Sequence, residues 1–281
     1  MPDDATGAAP TLAAKSPFEL RVDLGAGVPE TDVRTALATG EMGFLHSFTT
    51  GSAVDGPGVR VVAWTTGCMW RCRYCHNPDT WTITNGIPVS VAMAAAELEK
   101  YRHGLKVMAG GFTLSGGEPL MQHRFAVKLL AAAKQMDIHT TIETNGYYGE
   151  KVSDAELATI DLVMLGIKMW DPARHQALTG MEIGPTLAFG RRLAALRKPM
   201  WVRFVLVPGL TDDKKIVAPI AKFAASLGNV QRVEVLPFHQ MGRFKWEKLG
   251  LAYSLEDAKP PTTAQADAAC GAFRAEGLEA F

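Results

Sequence analysis

The sequence predicts an α/β protein built as a partial, TIM-like (β/α)6 barrel, and three observations support this fold class. Short runs rich in Val, Ile and Leu recur along the chain, as expected for parallel strands that are buried on both faces. Longer segments of helical periodicity separate them, and such repeats form parallel sheets or barrels through right-handed crossovers. The 281 residues suit one α/β domain, and six units are too few for a closed barrel of eight strands.

The predicted elements follow each other in β/α order. The strand candidates are the nearly continuous apolar runs at residues 61–65, 112–114, 140–143, 162–167, 201–207 and 233–236. The helix candidates are residues 90–101, 125–135, 154–159, 187–196, 214–227 and 263–275. Ser90 is a candidate N-cap, and Ser153 with Glu156 fits a capping box. Pro219 lies inside the fifth helix candidate and predicts a kink or a later start there.

The N-terminal segment differs in composition from the rest of the chain. Its first 17 residues, MPDDATGAAPTLAAKSP, are rich in Ala, Pro and Asp and show no periodicity, which is typical of a mobile tail. Residues 30–39 are compatible with one short helix, although an extended or disordered segment is the favoured prediction. We therefore expect an N-terminal extension over residues 1–42, mobile or forming an arm, and one domain over residues 43–281.

Charge and composition exclude several classes of protein. Lys and Arg total 29 and Asp and Glu total 29, and this balance argues against a broad nucleic-acid-binding surface. No apolar run approaches the ~18 residues of a membrane span, and the N-terminus lacks the apolar core of a signal peptide. The four cysteines are too few for a disulfide framework. Since three of them are clustered, they indicate metal ligation in a reducing compartment, and we expect a cytoplasmic protein.

The cysteine cluster is the strongest local signal. Cys68, Cys72 and Cys75 directly follow strand candidate 61–65, so they lie past the carboxyl end of a strand, where ligand sites of such folds collect. Three thiolates on one loop are able to hold three irons of a [4Fe–4S] cubane and leave the fourth iron open. The alternative is a structural zinc site, which needs a fourth ligand from His76 or Cys270. His76 adjoins Cys75 too closely for easy tetrahedral geometry, and Cys270 fits a buried apolar position in a helix.

The C-x3-C-x2-C spacing, with an aromatic residue before the last cysteine, resembles the radical S-adenosylmethionine (SAM) enzymes. Further segments between residues 44 and 281 resemble the pyruvate formate-lyase activating enzymes of that superfamily: HSFTTGSAVDGPGVR, YCHNPDTW, YRHG, SGGEPL, ETNG, DLVML, VPG, GNV, LPFHQMG and KPP. The resemblance implies the radical SAM type of partial barrel. It also implies pyruvate formate-lyase as partner, flavodoxin or ferredoxin as electron donor, and a monomer in an anaerobic cytoplasm.

The implied activity is the reductive cleavage of SAM at a [4Fe–4S] cluster bound by the three loop cysteines, after which the 5′-deoxyadenosyl radical takes hydrogen from a glycine of the partner. The implied SAM-binding residues are Tyr74, His76, Gly116, Gly117, Glu118, Gly166, Ile167, Lys168, Arg203 and His239. The two glycines of SGGEP would let the backbone approach SAM closely. Taken alone, Lys168 and Arg203 are ordinary strand-end charges and His239 is a structural histidine.

Asp55 lies in the VDGPG segment, and its position resembles that of the family's aspartate that meets the glycyl loop of the partner. Without the resemblance, the same aspartate is explained as a turn-forming residue before Gly-Pro-Gly. The two roles are compatible with each other. We therefore predict that Asp55 contributes to binding of the partner's glycine loop.

The chain departs from the family at a monovalent-cation site beside the SAM carboxylate. The family has aspartates where this chain has Glu143 and Gly166, and hard cations are sensitive to the charge of their oxygen ligands. The predicted site, weakened or remodelled, comprises Glu143, Thr144 and Met164. Glu143 reaching into the space left at Gly166 is the favoured hypothesis. Weak or absent cation binding and poor SAM binding by a divergent activator are the alternatives.

Two other functions need to be considered. One is an activase of another glycyl-radical enzyme. The subclass with a ferredoxin-like insert of eight further cysteines is excluded, because only Cys270 lies outside the cluster. A peptide-modifying radical SAM enzyme is a more distant alternative of the same kind. The other is a zinc-stabilised binding module without catalysis. Iron and sulfide in a brown anaerobic protein would favour the enzyme, and a colourless zinc protein would favour the module.

Overall fold

The computed structural model describes residues 30–281, with side chains from residue 35 onward, so the tail predicted for residues 1–29 lies outside the described residues. The strands are β1 (Met42–Ser52), β2 (Arg60–Thr65), β3 (Ile87–Ser90), β4 (Gly111–Gly116), β5 (His139–Thr144), β6 (Leu162–Gly166), β7 (Met200–Leu206) and β8 (Val230–Pro237). The helices are α1 (Glu30–Thr39), α2 (Val91–Glu99), α3 (Arg102–Val107), α4 (His123–Gln135), α5 (Asp154–Leu157), α6 (Pro172–Thr179), α7 (Gly184–Ala195), α8 (Lys214–Leu227), α9 (Arg243–Lys248) and α10 (Thr263–Arg274).

All described strands form one sheet in the order β3-β1-β2-β4-β5-β6-β7-β8. The six strands from β2 to β8 in this order are parallel, and β1 pairs antiparallel with β2 and β3. The order is linear, so the sheet stays open. The predicted α/β partial barrel with six parallel strands is confirmed.

Alternation along the strands separates a helix-covered face from an inner face. Val202 and Phe204 of β7 belong to the main apolar core, whereas Trp201 packs with Leu162 and Met164 in a second small cluster. Because successive side chains of a strand point to opposite faces, Arg203 lies on the inner face with Trp201. The helices therefore cover an apolar outer face, and the inner face is free to carry polar groups.

The sequence missed the two antiparallel strands, β1 and β3. Strand β1, MGFLHSFTTGS, mixes buried and half-buried positions, and this weak alternation hides a strand that lies near the edge of the sheet. The short helices α3, α6 and α9 were also missed, because each spans at most 8 residues and periodicity needs a longer window.

The structure differs from the favoured prediction for residues 30–39. Residues 30–39 form helix α1 instead of the favoured extended segment. The end of α1 and the residue Glu41 beyond it are held against α4, since Arg124 donates to the Ala38 carbonyl and Lys128 pairs with Glu41. Gly40, at φ +79°, fits only without a side chain, because a Cβ there would lie 2.5 Å from Arg124.

The capping residues predicted for two helices are confirmed, whereas several predicted helix boundaries differ from those of the structure. Ser90 caps α2 by accepting from the Met93 N–H, and Ser153 and Glu156 form the predicted capping box. The helix predicted to end at residue 101 ends at Glu99, and the helix predicted to end at 159 ends at Leu157. Helix α8 begins as predicted at Lys214 and contains Pro219 in its interior. No helix within residues 30–281 has the length and apolarity needed to span a bilayer.

Candidate active site at the carboxyl ends of the strands

The cysteine loop leaves β2 at Thr65 and is tied to its surroundings through the backbone. Arg71 and Arg73 donate their N–H groups to the carbonyls of Thr179 and Leu178, 2.7 and 3.1 Å away at the end of α6. The N–H of Cys68 donates to the Trp81 carbonyl at 3.1 Å. Since these bonds come from both sides of the loop, the positions of the three cysteines are set before any ligand binds.

The three loop cysteines are free and half-buried. Burial raises the pKa of Cys68, and negative charge on Cys72 and on Glu118 raises it further. Burial also raises the pKa of Cys72 to about 12, and burial raises the pKa of Cys75, whereas the ammonium of Lys168 lowers both. Three neighbouring thiols, two of them near the Lys168 ammonium, are suited to bind a metal cluster, which would deprotonate them.

A fourth protein ligand for a single zinc ion is not provided by either candidate. Cys270 is buried in α10 within the apolar core, and the charges that act on it belong to Arg274 and Asp267. His76 donates from Nε2 to the His239 carbonyl at 3.1 Å and stacks on the His239 ring at 4.1 Å. Within residues 35–281, no three His, Cys, Asp or Glu side chains converge on one metal ion. The three loop thiols are included in this statement, so they do not form a single-ion site, and a cluster would take each of them at a separate iron.

The two glycines after β4 let two loops approach each other. Gly116 has φ +126°, and a Cβ there would lie 2.2 Å from the backbone nitrogen and oxygen of Thr65. A Cβ on Gly117 would lie 2.5 Å from the Gly67 carbonyl oxygen. Side chains are thus excluded because the SGGEP loop packs directly against the start of the cysteine loop.

Glu118 joins this glycine loop to the end of β5. Its carboxylate accepts from the Leu120 N–H at 2.9 Å, the Thr144 hydroxyl at 2.6 Å and the Asn145 N–H at 2.7 Å. The side chain is fully buried, and burial outweighs these donors and raises its pKa to about 7. Glu118 therefore holds the loops after β4 and β5 in register with each other.

We expect Glu118→Gln to change the pH dependence of stability. The pKa of Glu118 is about 7 in the folded chain against an ordinary value of 4.5, so the folded state binds a proton that the unfolded state has released. The stabilisation that this bound proton provides is fully present below the ordinary pKa and is lost as pH rises through the pKa of the folded state. The free energy of unfolding of the wild type should therefore fall by about 3 kcal/mol over this pH range. The Gln variant cannot release this proton and should not show the fall. Denaturant unfolding from about pH 5 to about pH 8 measures the difference.

The control for this prediction is Glu99→Gln, because Glu99 is an exposed partner of Arg102 and its loss leaves the pH slope unchanged. Parallel stability curves for the wild type and Glu118→Gln would contradict the prediction.

Arg203 binds the carboxylates of the inner face. It donates to Glu143 at 2.6 Å and to Glu234 at 2.7 Å, and its nitrogen lies 3.8 Å from Asp55. Burial lowers the pKa of Arg203, but Glu143 and Glu234 raise it more. Burial raises the pKa of Glu143, but Arg203 and the Ser115 hydroxyl hold it below its ordinary value. Arg203 and Glu143 therefore form a charged pair.

Asp55 lies inside the barrel. The loop between β1 and β2 connects these strands at the end opposite to the cysteine loop, and it enters the interior through the Val54 carbonyl, which accepts from Arg203 at 2.5 Å. Burial raises the pKa of Asp55, as does the charge of Glu143. The structure thus connects the VDGPG segment to the strand ends through Arg203.

The end of β6 carries Gly166, Ile167 and Lys168. Ile167 is buried and donates its N–H to the Arg203 carbonyl at 3.1 Å, which continues the pairing with β7. Lys168 is half-buried and its charge acts on Cys72, Cys75 and other groups of the site. Lys168 therefore lies close enough to the cysteine loop for its charge to act on two of the three thiols.

The remaining predicted residues occupy different depths. Tyr74 is buried in the core, and its hydroxyl is one of the buried polar atoms without a partner among the described residues. Met164 is fully buried in the second apolar cluster. Thr144 uses its hydroxyl on Glu118 and Gly146. Burial lowers the pKa values of His76 and His239, so this stacked pair is neutral at pH 7.

Sequence reasoning missed several residues of the site. Glu234 is the second carboxylate on Arg203, and its signal was a lone acidic residue within the apolar run of β8. Trp246 donates to the Cys75 carbonyl at 2.8 Å and packs edge-on against Trp81 at 5.1 Å. No local pattern predicts that contact, because 171 positions separate the two hydrogen-bonding residues.

Comparison with known proteins agrees with this geometry. Residues 62–218 match the radical SAM superfamily. The chain is 40% identical over 222 residues to the pyruvate formate-lyase 1-activating enzyme of Escherichia coli (strain K12), covering 78% of this chain and 90% of that one. It is 41% identical over 227 residues to the pyruvate formate-lyase-activating enzyme of Staphylococcus aureus (strain USA300), with the same coverage.

Solved structures agree on the fold. A domain of pyruvate-formate lyase-activating enzyme from Bacteroides vulgatus aligns with TM-score 0.50 and 22% identity over 61% of this chain and 98% of that one. A radical SAM methyltransferase from Sphaerobacter thermophilus aligns with TM-score 0.55 and 15% identity over 90% of this chain and 81% of that one. At these identities the likeness supports the fold alone.

Proposed function

The chain belongs to the radical SAM superfamily and, within it, to the pyruvate formate-lyase activating enzymes, and from this membership we propose that it installs a glycyl radical on a pyruvate formate-lyase. As a radical SAM enzyme it uses a [4Fe–4S] cluster and SAM. The observation that carries the proposal is the meeting of three free thiols, a glycine loop and a lysine at the carboxyl ends of β2, β4 and β6.

The residues fit the cluster. Cys68, Cys72 and Cys75 would hold three irons, and the loop offers no fourth protein thiol, since Cys270 is in α10. Burial raises the pKa values of the three thiols, so their protons would be released on binding iron, whose charge stabilises the thiolates. The ammonium of Lys168 would help to stabilise the thiolates.

When bound, the cluster and SAM supply reductive cleavage of the S–C5′ bond, giving methionine and a 5′-deoxyadenosyl radical that takes hydrogen from the partner's glycine. The chain's own residues position and shield these groups. Gly116 and Gly117 bring backbone close to the cysteine loop, and Glu118 holds that loop on β5. Burial of the surrounding side chains limits the access of water.

We assign SAM contacts to the residues that the family resemblance implies: Tyr74, His76, Gly116, Gly117, Glu118, Gly166, Ile167, Lys168, Arg203 and His239. Lys168 supplies positive charge for the SAM carboxylate. The stacked, neutral pair of His76 and His239 offers flat surface and ring nitrogens rather than charge. Arg203 acts from the inner face, where Glu143 and Glu234 hold it.

The proposal extends to partners. Asp55 would act on the partner's glycine loop through the Arg203 cluster, and a flavodoxin or ferredoxin would deliver the electron. By its resemblance to the family the enzyme would work as a monomer. Oxygen would destroy a cluster with an open iron, so its compartment would be an anaerobic, reducing cytoplasm. The family's monovalent cation is the one group that the residues fit poorly, since Glu143 is already bound to Arg203 and position 166 is glycine.

Electron paramagnetic resonance on the complete mixture tests the function. The cluster is reconstituted anaerobically and reduced, and SAM and pyruvate formate-lyase are then added. We expect a glycyl-radical signal that requires every component. Omission of SAM, of the reductant or of the lyase provides three matched controls.

The other outcomes separate the alternatives. A reduced cluster whose signal responds to SAM but yields no glycyl radical would assign the chain to another glycyl-radical enzyme. A colourless protein that retains zinc in place of iron and sulfide would overturn the enzyme assignment and favour a binding module.

A further inference from the structure

The carboxylate of Glu143, which the sequence predicted to reach into the space at Gly166, is bound by two other side chains of this chain. One of its oxygens accepts from Arg203 at 2.6 Å, and the other accepts from the Ser115 hydroxyl at 2.7 Å. Both oxygens are therefore engaged by this chain's own donors. A metal ion would have to compete with a guanidinium for the same carboxylate.

The space beside Gly166 is filled by the side chain of Lys168. A Cβ on Gly166 would lie 2.9 Å from the Lys168 Nζ and 3.1 Å from its Cε, and 3.7 Å from the Thr144 carbonyl oxygen. Residues 166 and 168 are two positions apart, which directs both to the same side of an extended chain. The absence of a side chain at 166 thus leaves room for an ammonium next to Thr144.

This ammonium has charged neighbours but no hydrogen bond or ion pair within residues 35–281. Its charge lowers the pKa values of Cys72, Cys75 and Glu143. The other carboxylates of the inner face, Asp55 and Glu234, contact Arg203. A half-buried ammonium without a partner is costly, so Lys168 is available for an anion, and it would repel a second cation at the same place.

We propose that the Lys168 ammonium takes the place of a metal cation beside the carboxylate of SAM, so that this chain binds SAM without an alkali-metal ion. The inference rests on the proposed function. Arg203 neutralises Glu143, and Gly166 contributes no carboxylate, so the ligands that would hold a metal ion are withdrawn. The positive charge that faces the SAM carboxylate then belongs to the chain itself.

The test measures SAM affinity on the anaerobically reconstituted holoenzyme by equilibrium dialysis. The dissociation constant is compared in potassium, sodium and tetramethylammonium chloride at equal ionic strength. We expect values that agree within about twofold, because no alkali-metal ion takes part in binding. A value at least about fivefold lower in potassium or sodium than in tetramethylammonium would overturn the inference while leaving the proposed function intact.

Three variants extend the test. Lys168→Met is expected to weaken SAM binding at least tenfold in every salt, whereas Lys106→Met, which removes an exposed charge paired with Asp137, leaves it unchanged. In the double variant Gly166→Asp/Lys168→Met a carboxylate replaces the ammonium, and SAM affinity should rise about tenfold when potassium replaces tetramethylammonium. Iron content verifies that each variant keeps its cluster.

Three results would count against the inference. If Lys168→Met binds SAM as tightly as the wild type, the ammonium does not serve the cofactor. If the double variant shows no dependence on potassium, the space beside residue 166 is not a cation position. Failure of the wild type to bind SAM in any salt would overturn both the inference and the proposed function.

Discussion

The Cys72→Ala variant is expected to lose the iron–sulfur cluster and all measurable glycyl-radical formation. Cys72 is the middle ligand of the loop, and its thiol lies close enough to Cys68 and Cys75 to affect the pKa of Cys68 and to be affected by charge on Cys75. Loss of an outer-shell partner alone costs 10–100-fold in metal sites, so loss of a direct ligand should lower activity at least ~1000-fold.

Iron analysis and electron paramagnetic resonance measure this effect. The wild type should bind about four irons per chain, and Cys72→Ala far fewer. Cys270→Ala is the matched control, because Cys270 is buried in the core of α10 and its truncation should cost about 1 kcal/mol of stability without loss of iron. Full iron content and activity in Cys72→Ala, or iron loss in Cys270→Ala, would contradict the assignment of the cluster to the loop.

The second large effect is expected from Arg203→Met, which should lower the free energy of unfolding by about 3–5 kcal/mol. The Arg203 side chain is 7% exposed and binds Glu143 and Glu234, with Asp55 nearby. Removal of the guanidinium leaves these carboxylates together without their counter-charge. Met fills much of the same volume, so the loss reports charge rather than a cavity.

The deficit of Arg203→Met should shrink as pH falls. In the wild type, Arg203 holds the pKa of Glu143 below its ordinary value, and this stabilisation is present above the ordinary pKa and is lost as pH falls through the folded one. In the variant, the unpaired carboxylates have raised pKa values, and protonation then relieves their repulsion. Denaturant unfolding at about pH 8 and about pH 5 measures the change.

Arg192→Met is the control for this prediction. Arg192 pairs with Asp154, whose side chain is 64% exposed, and such surface pairs contribute at most about 1 kcal/mol. An equal loss in both variants, or a deficit in Arg203→Met that is constant with pH, would show that Arg203 acts through packing alone.

The fold was largely predictable because its signals are local. Runs of β-branched and aliphatic residues indicated the six parallel strands, and the capping residues Ser90 and Ser153 indicated two helix starts. Helix α8 began where predicted in spite of Pro219. Strands β1 and β3 were missed because they pair antiparallel beside the parallel sheet, where partial exposure weakens the apolar pattern.

The candidate site was predictable only in part. The three cysteines were evident from spacing alone, since all their ligand chemistry lies on one loop. Gly116 and Gly117 are in addition required by close contact with Thr65 of β2 and Gly67 of the cysteine loop, which no local pattern indicated. Glu234 and Trp246 were missed because their partners, Arg203 and Cys75, lie 31 and 171 positions away.

The sequence by itself determined the order of β/α units, the cysteine loop after β2 and the absence of a carboxylate at Gly166. Only the tertiary structure decided that Glu143 binds Arg203, 60 positions away, and that the Lys168 ammonium fills the space beside Gly166. The physical reason is the range of the interactions. Strand and cap signals act over a few residues, whereas charges on an inner face choose partners across neighbouring strands, whose register depends on the packing of the whole sheet.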